Sequence, residues 1–170
     1  MALLDIVIYP EEVLKTAAEP VERVDDEIRR MVDDMAETMY AAPGVGLAAN
    51  QVDSLKRVAV IDVAYTEGDP ELIVLINPEI VERSGRITWE EGCLSFPEIN
   101  VDVDRSQKVE VRALDRDGKP FAIEAEDLLA VALQHEIDHL NGVTLADKVS
   151  FLRRKTIVRE LSKLEKSKAS

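Results

Sequence analysis

The chain has 170 residues, 46% of them hydrophobic, with a formal charge of −13 and one cysteine. That length suits one core and is short for two, so a single catalytic-size domain over residues 1–170 is expected. The acidity argues against a broad or sequence-specific nucleic-acid surface, no run nears the roughly 20 apolar residues of a membrane span, and a lone thiol rules out an internal disulfide.

The opening MALLDIVIYP carries Asp5 and no basic leader, which reads against a signal peptide; a reducing, cytoplasmic setting is expected. VDDEIRRMVDDMAETMYAA places Ile28, Met31, Val32, Met35 and Met39 at helical spacing, with Asp25 and Asp26 at its start and Pro43-Gly44 beyond its end. The methionines read as core packing. PGVGLAANQ follows and reads as a tight turn. Its two glycines lack the Lys and the GKS/T ending of a phosphate loop, and they suit close approach of a ligand backbone.

Between Lys56 and Ile123 the pattern becomes strand-like: RVAVIDV, ELIVLINPEIVE, GRITWEE, KVEVRALD and KPFAIEA, broken by Gly, Pro and Asp. DRDG, Asp115 to Gly118, joins the last two as a hairpin. Strands in succession without intervening helices pair antiparallel. Helical spacing returns in EDLLAVALQHEIDHLNG, with Gly142 just past the end. A basic amphipathic helix, about residues 150–168, closes the chain; from Phe151 onward seven basic residues stand against two acidic ones. The expected architecture is α+β, with antiparallel sheets packed around a central helix and further helices toward each terminus.

That central helix holds both histidines of the chain, in HEIDH. Residues i and i+4 share a helix face, so His135 and His139 can aim one nitrogen each at a common ion, with Glu136 beside them. Leu128, Val131 and Ala132 lie on the same face as His135, so the imidazoles emerge from an apolar stripe where unpaired rings would be costly. Cys93, in EEGCLSFP, is the only other soft donor. A thiolate with two imidazoles suits Zn²⁺ or Fe²⁺ over Mg²⁺ or Ca²⁺. Gly92 lets the backbone approach closely, and Pro97 is expected to end that segment. Structural zinc sites are usually closed by four Cys or His, and this chain has three in all. The fourth position therefore goes to water, whose pKa a metal lowers to about 7, with Glu136 placed to move its proton. Gln51 offers a side-chain amide to a developing oxyanion, a reading that stands beside that of an ordinary loop glutamine. On the residues alone, three readings stay open: a metal-dependent hydrolase, a zincin-like endopeptidase and a non-catalytic metal-binding protein.

GVGLAANQ (44–51), EGCLSFP (91–97) and QHEIDH (134–139), in that order, resemble the three motifs of the peptide deformylases, and the resemblance spans essentially the whole chain. It implies removal of formyl from the N-terminal methionine of new polypeptides. Carried over residue by residue, it makes Cys93, His135 and His139 the metal ligands and Glu136 the general acid/base. Gln51 and the backbone N–H of Leu94 become the oxyanion donors. It further implies Fe²⁺ in the cell, with Zn²⁺ or Ni²⁺ able to occupy the site. Val45, Gly46 and the Gly92 segment would align the peptide as an added strand, and Phe96, Leu128, Val131 and Ala132 would form the methionine pocket. The basic C-terminal helix would meet the ribosome. Two positions stand apart. Many bacterial members carry arginine seven residues after the motif cysteine, where this chain has Asn100. Glu91 and Arg105 are expected to pair as a brace for the strand that carries Cys93.

Overall fold

The computed structural model describes residues 3–169, so the first two residues of the N-terminal reading lie outside the described residues. Helix α1, Asp26–Ala41, starts where the Asp25 side chain accepts the Ile28 N–H at 3.0 Å, satisfying one of the N–H groups that the first turn leaves unpaired. Ile28, Val32, Met35 and Met39 form its buried stripe. Seven strands follow: β1 Gly46–Ala48, β2 Val58–Ile61, β3 Ile73–Ser84, β4 Ile87–Cys93, β5 Phe96–Arg105, β6 Lys108–Leu114 and β7 Pro120–Glu126. Helix α2 spans Asp127–Leu140 and α3 spans Phe151–Ala169. All paired strands are antiparallel, in a five-stranded sheet of order β1-β2-β3-β6-β7 and a separate β4-β5 pair.

The large sheet lies between α1 and α2. Strand β2 shows why: all four of its residues are buried, Val58 and Val60 against α1 and Ala59 and Ile61 against α2. An unbroken apolar run is what a strand covered on both faces requires. A third cluster holds β5 against α3, with Phe96, Ile99, Val101 and Val103 meeting Ile157 and Leu161. The α2 C-terminus is pinned by Arg57, whose guanidinium donates to the Leu140 carbonyl at 2.9 Å and to Asn141 Oδ1 at 3.0 Å. Gly142 then turns the chain at φ +77°, against the backbone of Lys15 and Ala17, where a side chain has no room.

Two expectations need correction. PGVGLAANQ is more than a turn: Gly46 to Ala48 pair with Ile61 to Ala59, making β1 an edge strand, before a single 3-10 turn at Ala49–Val52. Pro97 does not close the cysteine segment. It is the second residue of β5, a strand of the small pair that lies outside the large sheet. The outer strand of a two-stranded sheet tolerates the missing N–H.

Candidate metal centre and active site

The cysteine and the histidine pair come from different elements. Strands β4 and β5 form a hairpin whose connection is Leu94-Ser95, and the ladder slips between Gly92 and Cys93, so Cys93 sits at an irregular tip. Helix α2 presents His135 and His139 one turn apart, buried to 8% and 1% exposure. Their Nε2 atoms lie 3.2 Å apart, and Cys93 Sγ is 3.3 Å from His139 Nε2. All three ligand atoms fall within 4.8 Å of one another. Bonds of about 2.1 Å to nitrogen and about 2.3 Å to sulfur, set tetrahedrally, space ligand atoms roughly 3.3 to 3.6 Å apart. The three donors therefore fit a transition-metal ion.

The His135 imidazole is also correctly turned for it. Glu91 Oε1 lies 2.9 Å from His135 Nδ1, so the Nδ1 proton is spent on the carboxylate and Nε2 is left to face the cation. Glu91 in turn takes both arms of Arg105, at 2.8 and 2.9 Å, with each side chain 4% exposed. Arg105 also reaches Asp138, which meets Lys148 at 3.4 Å. Burial opposes charge on Glu91, but Arg105 and His135 outweigh it and hold the carboxyl below the usual range. Burial likewise drives both imidazoles toward neutrality. At His135 the neighbouring Glu136, Cys93 and Glu91 outweigh burial and raise proton affinity; at His139 the nearby His135 and Arg105 reinforce it, and the ring stays neutral. Two rings in that contact cannot both be cationic.

Glu136 occupies the wall of a cavity of about 310 Å³ that also exposes Gln51, Cys93, Leu94 and His135. It is 4% exposed, and its Oε1 has no hydrogen-bond partner among the described residues. Burial lifts its carboxyl to about 7, so it can take and return a proton near neutral pH. Gly46 of β1 adjoins it. A Cβ on Gly46 would stand 2.5 Å from Glu136 Oε2, so the absence of a side chain there is what gives the carboxylate its place. Gln51 is 1% exposed and oriented by its own turn. Its Oε1 accepts the Ala48 N–H at 3.0 Å, which turns Nε2 toward Ser95 Oγ at 3.1 Å and Cys93 Sγ at 3.5 Å. A loop glutamine would be solvated; this one is a buried donor beside the Cys93 thiol.

Val45, Gly46, Gly92, Leu128, Val131 and Ala132 also line the cavity, with Leu128 at its mouth, 36% exposed. Phe96 does not. It stacks on Tyr9 with centroids 4.8 Å apart inside the β5-α3 cluster, because Glu98, at φ +63°, breaks the alternation of β5 and puts Phe96 on the same side as Ile99. Three participants were missed in the sequence. Ser95, which receives the Gln51 amide, lies inside the quoted EGCLSFP; Asp138, which reaches Arg105, lies inside HEIDH; Trp89, on the cavity wall, lies inside GRITWEE. Each was quoted as part of a motif or strand, and only the three-dimensional contact gives it a role.

A family profile described as polypeptide deformylase matches residues 3–155. A curated relative, the peptide deformylase of Alkalilimnicola ehrlichii (strain ATCC BAA-1101 / DSM 17681 / MLHE-1), is 54% identical over 164 residues, covering 96% of this chain and 92% of its own. The crystal structure of a peptide deformylase from Legionella pneumophila matches with a TM-score of 0.93 at 46% identity over 98% of each chain. That of the Ehrlichia chaffeensis peptide deformylase in complex with actinonin matches with a TM-score of 0.93 at 41% identity, covering 97% of this chain and 99% of that one.

Proposed function

The chain belongs to the polypeptide deformylase family, and from that premise we propose how its residues perform the reaction. It is a metalloenzyme that removes the formyl group from the N-terminus of newly synthesised polypeptides. The observation that carries the assignment of roles is that the Cys93-His135-His139 cluster borders one cavity that Gln51, Cys93, His135 and Glu136 line together. Cys93, His135 and His139 would hold a divalent cation, Fe²⁺ in the cell, with Zn²⁺ or Ni²⁺ able to replace it. When bound, the ion supplies Lewis acidity that activates water and polarises the formyl C=O. Two nitrogens and a sulfur support that choice, since hard cations prefer oxygen ligands.

The rest falls to the chain itself. Glu136 accepts a proton as water oxygen adds to the formyl carbon, and returns it to the amide nitrogen as the C–N bond breaks. The products are formate and a free N-terminal amine. The Gln51 amide and the Leu94 N–H donate to the oxyanion of the tetrahedral intermediate. The peptide docks as an added strand between the β1 edge, at Val45 and Gly46, and Gly92 of β4. Leu128, Val131 and Ala132 receive the methionine side chain, and Phe96 plays no direct part. Residues 1–170 act as one catalytic unit in the cytoplasm; among the described residues no helix is long and apolar enough to cross a membrane. Contact with the ribosome runs through α3, whose Lys155, Arg159, Lys163 and Lys166 are all exposed.

Anaerobically purified protein should release formate from formyl-Met-Ala and leave unblocked peptides intact. Internal cleavage without formate would overturn the assignment. Glu136→Gln should keep the metal and lose turnover, and undiminished turnover would remove Glu136 from its role. For the ribosome, reversal of exposed α3 charges is a cleaner test than deleting the helix, because Ile157 and Leu161 are core residues. Unchanged co-sedimentation after Arg159→Glu and Lys163→Glu would exclude this contact.

A further inference from the structure

Behind the peptide-docking edge stands a cluster that the chemistry above does not use. The chain between β2 and β3 is a loop, exposed from Thr66 to Leu72. It is gathered at its root by Asp62, which is fully buried. Asp62 Oδ1 accepts the N–H groups of Ala64 at 3.0 Å and Tyr65 at 3.1 Å, while Oδ2 accepts the Tyr40 hydroxyl at 2.5 Å and the Glu71 N–H at 2.9 Å. Four donors on one carboxylate close the loop on itself and fix where Tyr65 stands. The Tyr65 ring meets Tyr40 edge to face, centroids 4.9 Å apart at 85°, and its hydroxyl donates to the Gly44 carbonyl at 2.8 Å.

Gly44 and Val45 line the catalytic cavity. A glycine in an edge segment is free to take many backbone states, and an edge that receives a peptide strand must be held in one. Three bonds hold this one: Gly44 N–H to the Met39 carbonyl at 2.8 Å, the Asp62 N–H to the Val45 carbonyl at 2.8 Å, and Tyr65 on the Gly44 carbonyl. Two of the three come from the loop root. Because the peptide unit is a rigid trans plane, fixing the Gly44 carbonyl also fixes the direction of the Val45 N–H at its other end.

We propose that Tyr65 is a positioning residue for the formylated peptide: seated on Tyr40 and Asp62, its hydroxyl holds the Gly44–Val45 peptide plane in the orientation that the substrate backbone meets. The proposal rests on the docking of substrate along β1. Tyr65→Phe removes one oxygen from a half-buried ring, and it should raise KM for formyl-Met-Ala-Ser about two- to tenfold, the worth of one hydrogen bond, with kcat within about twofold. Metal content should not change. Hydrogen exchange of residues 43–47 should quicken. Tyr40→Phe, which leaves the Gly44 bond but frees its support, should move KM in the same direction by less. An unchanged KM in both variants beside an active wild type overturns the proposal alone. A fall in kcat at constant KM, tracking lost thermal stability, makes the role structural and overturns it as well. A wild type that releases no formate overturns both this proposal and the function beneath it.

Discussion

The contact between Gly46 and Glu136 makes the sharpest prediction, because it separates catalysis from folding. In Gly46→Ala the new methyl would lie 2.5 Å from Glu136 Oε2, 2.9 Å from its Cδ and 3.1 Å from its Cγ. Ordinary contact begins near 3.4 Å, so the carboxylate must retreat by about 0.9 Å. The backbone offers no resistance of its own, since Gly46 is not among the left-handed glycines. Loss of glycine flexibility in the unfolded chain even stabilises, by about 0.4 to 1 kcal/mol. Displacing the proposed general acid/base is another matter: misplacement by about 1 Å costs on the order of 100-fold in rate. Gly46→Ala should therefore melt within a few degrees of wild type, hold the same metal and lose roughly two orders of magnitude in kcat for formate release. Gly68→Ala is the control, with nothing within 4 Å of its Cβ. A kcat within threefold of wild type, at equal metal content, would refute the reasoning.

Three further outcomes follow from buried charge and from the ligands. Arg105→Met leaves the buried Glu91 carboxylate without its cation, and breaking such a pair costs about 3 to 5 kcal/mol; a melting temperature within a degree of wild type would show that the pair is dispensable. Asp62 lies below the usual carboxylate range because the Tyr40 hydroxyl and three backbone N–H groups outweigh its burial. A lowered folded pKa gives stability that is present above the unfolded value of about 3.9 and is lost as pH falls through the folded value. Tyr40→Phe should thus cost about 1.5 to 3 kcal/mol at pH 7, a deficit that narrows in chemical denaturation below about pH 4. Finally, an ion present at a hundred times its dissociation constant adds about 2.7 kcal/mol, so chelation should lower the melting temperature in wild type and leave Cys93→Ser nearly unaffected.

The α+β class and the clustering of His135 with His139 were legible because each was written in a local pattern: one helical period in HEIDH, alternation in KVEVRALD, a turn in DRDG. The losses occurred where pattern and partner part company. FPEINVDVDR alternates strictly between buried and exposed residues from Ile99 onward, yet it was passed over. Its first residues belong to a metal motif and its Pro97 argues only against a central strand, whereas both strands of a two-stranded sheet are edges and Pro97 falls where the ladder slips. The resemblance assigns Phe96 to the pocket, in the same motif as Cys93. Proximity along a strand predicts the wrong face every second residue, and the tight turn at Leu94-Ser95 resets that phase again. β1 was missed for another reason. Three residues carry no periodicity, and Gly46 serves the sheet and the carboxylate of Glu136 at once.

That last position shows why the glutamate and the glycine motif need each other. Glu136 is suited to the proposed proton transfer near neutrality because it is buried, and Gly46 of β1 lies against it. A wall with side chains would displace the carboxylate, whereas an open wall would let water restore its ordinary acidity. Glycine in an edge strand satisfies both demands, but the segment Gly44-Val45-Gly46 that leads into it is soft where the peptide is proposed to dock. The bonds from Asp62 and Tyr65 restore that stiffness from behind without entering the cavity. In the proposed reaction, proton transfer and peptide alignment would thus draw on the same short backbone segment. A substitution that alters only one of them should therefore separate kcat from KM, with Gly46→Ala acting on the first and Tyr65→Phe on the second.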